Sequence, residues 1–190
     1  RLARGYLTLK ERDTSSTARE LIAVLRSVQT LRLLIPRGAV IDWKVDNQGV
    51  FFDMRRGGSK RPHIHELCLE IFELCEASGF RVRYTWVPRE LNTGADALSK
   101  VFDKDDWKIA EWVFEALSRL WGPFTVDRFS SDLNSLCAVF NSQYWCPGTA
   151  GVDAFAQGDW LGQLNWCNPP FWMIGRLLRF LEATGAEAVV

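Results

Sequence analysis

The sequence lacks the features that would place it in a specialised class. No apolar run reaches the roughly 20 residues needed to span a bilayer, so no membrane partner is expected. The five cysteines show no Cys-x-x-Cys spacing, which argues against a zinc site or a disulfide framework. The 23 Lys and Arg balance 23 Asp and Glu, which excludes a strongly basic arm and an acidic tail. We therefore expect an intracellular protein, cytoplasmic or nuclear, with reduced thiols.

The sequence is rich enough in hydrophobic residues to bury a substantial core. They make up 47% of the 190 residues, and 13% of all residues are aromatic. The charge is unevenly distributed: residues 1–101 contain 17 basic and 12 acidic side chains, a balance of +5, whereas residues 102–190 contain 6 and 11, a balance of −5. Seven of the nine Trp also lie in the second segment. We therefore predict two domains, residues 1–101 and 102–190.

Hydrophobic periodicity predicts an α/β arrangement in the first domain. Apolar residues recur at helical spacing over residues 17–34 and 62–78, and they alternate with polar residues over 39–45 and 80–87. Pro62 marks the start of the second helix and Gly79 marks its end. A further short helix is expected over residues 92–100. Two strands and three helices are thus predicted in the first 101 residues.

A second set of α/β elements is predicted after residue 102. An amphipathic helix is expected over residues 105–120, where Gly122 and Pro123 break it. Short strands are expected at 124–127 and 165–167, and a further strand starts at Ala188. A helix over residues 172–183 would connect the last two strands.

Three acidic residues of the first domain stand out by their positions. Glu20 lies in the first turn of a predicted helix, Asp46 follows a predicted strand, and Asp96 lies in the short helix after the last strand. Carboxylates brought together from different elements are suited to holding two Mg²⁺ ions about 4 Å apart, which is the requirement of a metal-dependent phosphodiester hydrolase. The alternatives are a capping box of Thr17 with Glu20, a turn role for Asp46 and a solvated Asp96.

The surrounding residues resemble those of a known family. The first 101 residues are similar to the ribonuclease H domain that follows reverse transcriptase in DIRS-type, and more distantly gypsy-type, retrotransposons. The matching words are SSTAREL at 15–21, VDN at 45–47, RGGSK at 56–60, VPRELN at 87–92 and ADALS at 95–99. The resemblance implies a ribonuclease H-like mixed sheet with flanking helices, and an upstream reverse transcriptase in the same polyprotein. It also implies that Glu20, Asp46 and Asp96 are three of the family's four metal-binding acids.

The fourth acid of that family has no counterpart here. It lies on the family's first strand, and nothing before Glu20 matches it, since Asp13 belongs to a polar stretch without strand character. The sequence begins at Arg1, so we expect the N-terminal strands to be missing and residues 6–9 to be a remnant of the third. Such a truncated domain would cleave the RNA strand of an RNA:DNA hybrid weakly or not at all.

Basic and amide side chains in the first domain suggest contact with nucleic acid. Arg55, Arg56 and Lys60 surround a pair of glycines, and such cations with exposed backbone amides suit phosphates. The alternative is an ordinary solvated surface. Asn47 and Asn92 are further candidates for polar contacts with a hybrid, which would be recognised by shape and by 2′-hydroxyls, or with DNA.

One group of residues dominates the second domain: Asn168, Pro169, Pro170 and Phe171. Two prolines fix the backbone, so a polar side chain and an aromatic ring are held in a rigid turn. Amino-methyltransferases hold a target base in this way, with hydrogen bonds to the exocyclic amine and a ring stacked on the extruded base. The alternative is a turn without further function.

The second domain resembles a second family. Residues 107–190 are similar to the Dam-like adenine-methyltransferase-like domain found downstream of ribonuclease H in DIRS-type elements, with FTVDRFSS at 124–131 and VDAF at 152–155 preceding the Asn168 group. The resemblance implies a partial Rossmann-like module with Asp127 near S-adenosylmethionine and with Asn168 to Phe171 as the catalytic group. No Phe-x-Gly-x-Gly cofactor loop is present, and we expect the module to be C-terminally truncated.

These observations favour a fragment of a retroelement polyprotein with a ribonuclease H-like nuclease module that is impaired by truncation. One alternative is a DNA adenine methyltransferase-like module whose N-terminal part binds nucleic acid. Another is a remnant that binds nucleic acid without catalysis.

Overall fold

The computed structural model describes residues 3–99 and 108–190, apart from the side chains of Asp96, Leu98 and Ser99. The chain forms two compact units, Arg1–Val101 and Phe102–Val190, here called the first and second unit. Both are α/β, with parallel strands and flanking helices. None of the described helices has the length and apolar character needed to cross a membrane.

The first unit has a parallel pair of strands covered by helices. Its elements are α1 Leu9–Arg12, α2 Ser16–Leu31, β1 Val40–Val45, α3 Gln48–Arg56, α4 Pro62–Ser78, β2 Arg81–Trp86 and α5 Thr93–Ser99. Val40 of β1 lies opposite Arg81 of β2, and Val45 lies opposite Trp86. Both strands therefore end at the same edge of the sheet.

The core of the first unit lies where α2, α4 and the two strands meet. Buried apolar side chains of α2, α4 and β1 and the residue before β2 form it, namely Leu21, Val28, Val45, Ile64, Ile71 and Phe80, and the partly buried Val82 and Tyr84 of β2 pack against them. Gly79 ends α4 in the left-handed region, at φ 78°, which a residue with a Cβ adopts less readily. Both predicted strands and both long helices are present within a few residues of their expected bounds.

The N-terminal segment differs from the prediction in two ways. Thr8 caps α1 and forms a capping box with Glu11, so residues 6–9 are not a remnant of a strand. The helix α2 is capped by Ser15, whose side chain accepts a hydrogen bond from the Ala18 N–H. The capping box predicted for Thr17 and Glu20 is therefore wrong, because Thr17 lies inside the helix.

The second unit is built on a parallel five-stranded sheet. Its elements are α6 Glu111–Trp121, β3 Val126–Asp127, β4 Val139–Ser142, β5 Gly151–Val152, β6 Asn165–Trp166, α7 Ile174–Thr184 and β7 Ala188–Val189. The strand order is β5-β4-β3-β6-β7. The chain thus proceeds from β3 towards one side of the sheet, and then returns to form β6 and β7 on the other side.

Sequence patterns predicted part of this unit. The strands β3, β6 and β7 and the helix α7 lie where they were expected. The strands β4 and β5 were not predicted, and α6 begins at Glu111 rather than at residue 105, although residues 105–107 lie outside the described part of the chain. Short strands are easily missed because two to four residues do not display a period.

A buried arginine ties the second unit together. Arg128 follows β3 directly, and its side chain is fully buried. Its guanidinium donates to Asn165 Oδ1 at 2.6 Å, to Asn141 Oδ1 at 2.8 Å and to Asp159 Oδ1 at 2.9 Å. It also lies 4.6 Å from the centroid of the Trp160 ring. These contacts link β3, β4, β6 and the segment before β6.

Replacement of this arginine should destabilise the second unit strongly. We expect Arg128→Met to lower its free energy of unfolding by about 3–5 kcal/mol, because the Asn141 and Asn165 oxygens and the Asp159 carboxylate lose their donor. Urea unfolding followed by circular dichroism measures the change. The control is Arg119→Met, since Arg119 is exposed on α6 and lies 3.8 Å from Glu115, a contact worth less than about 1 kcal/mol. Equal effects of the two substitutions would contradict the role given to Arg128.

Candidate functional site

Two of the three acids predicted in the first unit lie together at the carboxyl edge of its sheet. Asp46 directly follows β1, and Glu20 projects from α2 so that the two carboxyl groups lie close together. Asn47 caps α3 by accepting a hydrogen bond from the Val50 N–H at 3.2 Å, and its own backbone N–H lies close to the Glu20 carboxyl group. The turn from β1 into α3 therefore positions both acids.

The electrostatics of this pair follow from burial and from like charge. Burial of Glu20, together with the hydrogen bond and the charge repulsion from Asp46, raises the pKa of Glu20 to about 7. The Asn47 N–H and the positive charge of Arg89 oppose this rise. Near neutral pH the Glu20 carboxyl group is therefore protonated in a substantial fraction of the molecules, and a cation at this position would replace that proton.

The third predicted acid, Asp96, lies in α5, and its side chain is outside the described part of the structure. In the residues that are described, no group of three or more His, Cys, Asp or Glu is arranged to hold a metal. Asn92 ends a short 3-10 helix, Arg89–Leu91, immediately before α5. The three-acid cluster and the contact made by Asn92 therefore remain predictions.

The basic loop of the first unit connects α3 to α4. Arg55 and Arg56 occupy the last turn of α3, Lys60 follows two glycines, and all three are exposed. Gly58 has φ 153°, and a Cβ there would clash with Nδ1 of His65 on α4. The loop shape thus depends on glycine, while contact of these cations with nucleic acid remains a prediction.

The second unit has a cleft at the carboxyl ends of β3 and β6. These neighbouring strands lie where the direction of chain winding reverses, and in parallel α/β sheets ligands bind at such a point. Asp127, the last residue of β3, and Asn168, which follows β6, both line the cleft. The remaining lining residues are Lys108, Ile109, Phe129, Ser130, Asn134, Leu136 and Trp166. The structure therefore brings Asp127 and Asn168 to one site.

Asp127 organises the connection that forms one wall of the cleft. The residue is 2% exposed, and its two carboxyl oxygens accept hydrogen bonds from the backbone N–H groups of Phe129 at 3.3 Å and Leu136 at 3.1 Å. Burial raises the pKa of Asp127 despite these hydrogen bonds. The Ser130 hydroxyl is buried beside Asp127 and lowers that pKa. It has no hydrogen-bond partner of acceptable geometry among the described residues.

The residues after β6 present one amide and one aromatic ring. Pro169 is buried, whereas Asn168 is partly exposed and makes no side-chain hydrogen bond within the described part of the chain. Phe171 is 86% exposed and begins a 3-10 turn, Phe171–Met173, that leads into α7. Among the described residues nothing pairs this amide or covers this ring, so both are available to a ligand.

Three features at or near this site were not predicted from the sequence. Arg128 is buried, although an arginine gives no sequence signal for burial. Trp172, next to Phe171, is 70% exposed. Asp153, at the end of β5, has φ 59° and accepts a hydrogen bond from the Phe155 N–H, a backbone conformation that is uncommon outside glycine.

Comparison with known proteins supports one of the two resemblances. Residues 97–187 match the family model described as DNA N-6-adenine-methyltransferase (Dam). Neither the curated proteins nor the solved structures gave a match. The second unit is thus similar to Dam-like methyltransferase domains. The ribonuclease H and retrotransposon interpretation of the first unit rests on its short sequence motifs alone.

The Glu20–Asp46 pair predicts a pH-dependent stability. The pKa of Glu20 lies above its unfolded value of 4.5, so the folded state binds the extra proton and stability falls as the pH rises from about 4.5 to 7. Glu20→Gln keeps an acceptor for the Asn47 N–H and removes the charge. One pKa unit corresponds to about 1.4 kcal/mol, and solvent screening reduces the effect, so we expect a stabilisation of ~1–2 kcal/mol at pH 8 and little change at pH 4.5.

Urea unfolding at the two pH values measures this difference. Glu73→Gln is the control, because Glu73 is exposed on α4 and should show no such pH dependence. A stabilisation by Glu20→Gln that is the same at both pH values would contradict the assignment.

Proposed function

We propose that the second unit is a DNA adenine-methyltransferase-like module that holds an adenine at Asn168 and Phe171 for methylation of its exocyclic amine. The observation that carries the proposal is the Asn168 amide, which no described side chain or backbone group pairs and which lies on a rigid proline turn in the cleft that also contains Asp127. The family-model match over residues 97–187 supports the reaction class and DNA as the substrate.

The strand order supports this proposal. With β3 as the first strand, the order β5-β4-β3-β6-β7 corresponds to the 3-2-1-4-5 order of Rossmann-like sheets. The unit departs from that fold in its connections, because residues 128–138 and 143–150 join parallel strands without a helix. A helix is present between β6 and β7, directly after the Asn168 group.

Each residue of the group has a chemical role in this proposal. The Asn168 side-chain oxygen would accept a hydrogen bond from the exocyclic amine, which orients that nitrogen and keeps its lone pair directed towards the methyl donor. The exposed ring of Phe171 would stack on the extruded base. Pro169 and Pro170 restrict the backbone, so the two contacts are formed without a large ordering cost.

Two polar side chains at the cleft have groups that a methyl-donor cofactor could use. Ser130 offers a buried hydroxyl without a hydrogen bond in the described residues, and the Asp127 carboxyl group lies beside it. These two residues would hold S-adenosylmethionine, which when bound supplies the methyl group on a sulfonium sulfur. The connection after β3 contains no glycine, so its shape depends on the hydrogen bonds of Asp127 rather than on a glycine-rich turn.

The proposal predicts methyl transfer that depends on Asn168. With radiolabelled S-adenosylmethionine and adenine-containing DNA, we expect label in adenine, and we expect Asn168→Ala to reduce the rate by about 10²-fold because the amine loses its acceptor. Glu73→Ala, at an exposed position of α4 in the first unit, is the control and should retain the rate. Absence of any methyl transfer by the wild-type chain, or retention of the rate in Asn168→Ala, would overturn the proposal.

A second candidate function belongs to the first unit, and the adjacent carboxyl groups of Glu20 and Asp46 favour it. We propose that this pair contributes to a Mg²⁺ site of ribonuclease H type, with Asp96 as a further ligand and a hybrid phosphate completing the coordination. The like charges of the two carboxylates fit a divalent cation. The balance of +5 over residues 1–101, which includes the exposed Arg55, Arg56 and Lys60, is suited to a phosphate backbone.

This candidate predicts a Mg²⁺-dependent stabilisation. At a Mg²⁺ concentration tenfold above the dissociation constant, we expect a gain of about 1.4 kcal/mol, seen as a rise in Tm for the wild type and lost in Asp46→Asn. The matched control is Asp42→Asn, since Asp42 is exposed on β1 and pairs with Arg83. An equal response of wild type and Asp46→Asn would exclude the site. Hybrid cleavage that Asp46→Asn abolishes would identify hydrolysis as its reaction.

A further inference from the structure

The parallel sheet of the first unit has two strands in the part of the chain that the structure describes. The strands β1 and β2 pair over six residues each, and no other described strand joins either of them. Each strand therefore has an outer edge along which its backbone N–H and C=O groups are not part of a ladder. Such an edge can pair with a strand of another chain.

Backbone hydrogen bonds show which residues of β1 face its outer edge. The carbonyl groups of Ala39 and Val45 accept hydrogen bonds from the N–H groups of Arg81 and Val87, on the side of β2. The direction of the backbone groups alternates from residue to residue along a strand. The groups at the outer edge are therefore those of the even-numbered residues, namely Val40, Asp42 and Lys44.

Two of these residues carry opposite charges on the same face of the sheet. Asp42 and Lys44 are two residues apart, and both are exposed. Within its own copy Asp42 contacts Thr85 at 2.7 Å and Arg83 at 3.5 Å, and both contacts use Oδ1 rather than Oδ2. A strand with a cation opposite Asp42 and an acid opposite Lys44 would therefore complement this edge.

A second copy of β1 meets this requirement in one antiparallel register. When a two-fold axis passes through Trp43, Asp42 of each copy lies opposite Lys44 of the other. Both residues direct their backbone groups to the edge, so each such pair also exchanges backbone hydrogen bonds. An axis through Asp42 or through Lys44 would instead place like charges opposite each other, which is unfavourable.

The outer edge of β2 does not have this property. The charged residues of β2 are Arg81 and Arg83, and both are positive. No antiparallel register of two copies of β2 can therefore place an acid opposite either arginine. Charge complementarity thus selects β1 as the edge that pairs with its own copy.

We propose that the chain forms a dimer through β1, in which the two sheets join into one with the strand order β2-β1-β1-β2. On the face opposite the charges, Trp43 of each copy meets Trp43 of the other, and Ile41 meets Val45. Ile41 and Trp43 are only partly buried in a single copy, so this contact covers further apolar surface. Because the two β1 strands are antiparallel, the two Glu20–Asp46 pairs lie at opposite ends of the joined sheet.

Sedimentation velocity of the full chain at increasing concentration tests this dimer. A contact between two strand edges is smaller than the roughly 1,200 Å² of a standard interface, so we expect a dissociation constant of about 10–100 µM. Added salt should weaken the dimer, because its ion pairs are exposed. In Lys44→Asp two acids face each other in both pairs, and we expect the dissociation constant to rise about tenfold or more.

A matched control and a complementary variant separate the register from net charge. Lys10→Asp makes the same change of charge at an exposed position of α1 and should dimerise as the wild type does. In an equimolar mixture of Lys44→Asp and Asp42→Lys chains, each acid of one chain faces a lysine of the other. This mixture should form heterodimers with nearly the affinity of the wild type, and circular dichroism checks that each variant is folded.

Three results would overturn the proposal. The first is a chain that stays monomeric well above the expected dissociation constant. The second is a dimer that Lys44→Asp leaves unchanged, since it would use another surface. The third is an equal loss of affinity in Lys10→Asp and Lys44→Asp, since net charge would then explain the effect.

Discussion

The second unit depends on a charge that is removed from water. Arg128 can be buried beside a sheet only because its guanidinium finds the amide oxygens of Asn141 and Asn165 and the carboxylate of Asp159. Its backbone N–H also donates to the carbonyl of Trp166 at 2.9 Å, and Trp166 lies two residues before Asn168. Since the described strands of this unit are only two to four residues long, their pairing alone offers few hydrogen bonds. The side chain of Arg128 adds to these few backbone hydrogen bonds by joining β3, β4 and β6 next to the cleft.

Both units place their candidate residues by the same rule, although their chemistry differs. In a parallel sheet the carboxyl ends of the strands share one edge, so residues that directly follow different strands meet there. In the first unit this brings Asp46 to the edge, where α2 adds Glu20. In the second unit it brings Asp127 and Asn168 to one cleft. The first site concentrates negative charge, whereas the second combines a buried acid with an amide and exposed rings, which suits a neutral base better than a metal.

The sequence predicted those parts of the fold whose pattern extends over several turns or several residues of a strand. The helices α2 and α4 have a clear apolar period, and β1 and β2 alternate over six residues each. The helix α3 was not predicted, because its start depends on the side-chain cap of Asn47 and its buried surface is small. The adjacency of Glu20 to Asp46 was expected from the resemblance to ribonuclease H domains, but the burial of Arg128 and the exposure of Trp172 could not be predicted. Whether these two side chains are buried depends on how distant segments of the chain pack around them, and a local sequence pattern does not contain that information.

Gly49, in the first turn of α3, lies where a side chain would not fit without a shift of its neighbours. A Cβ at this position would lie 2.9 Å from Thr17 Oγ1 and 3.0 Å from Asn47 Oδ1. Both neighbours are short side chains with little freedom to move, since Asn47 is held by its cap to Val50. A methyl group here would therefore meet both side chains at once, and one of them or the first turn of α3 would have to shift. A residue that carries no functional group thus lets the start of α3 approach Thr17 on α2, the helix that also carries Glu20.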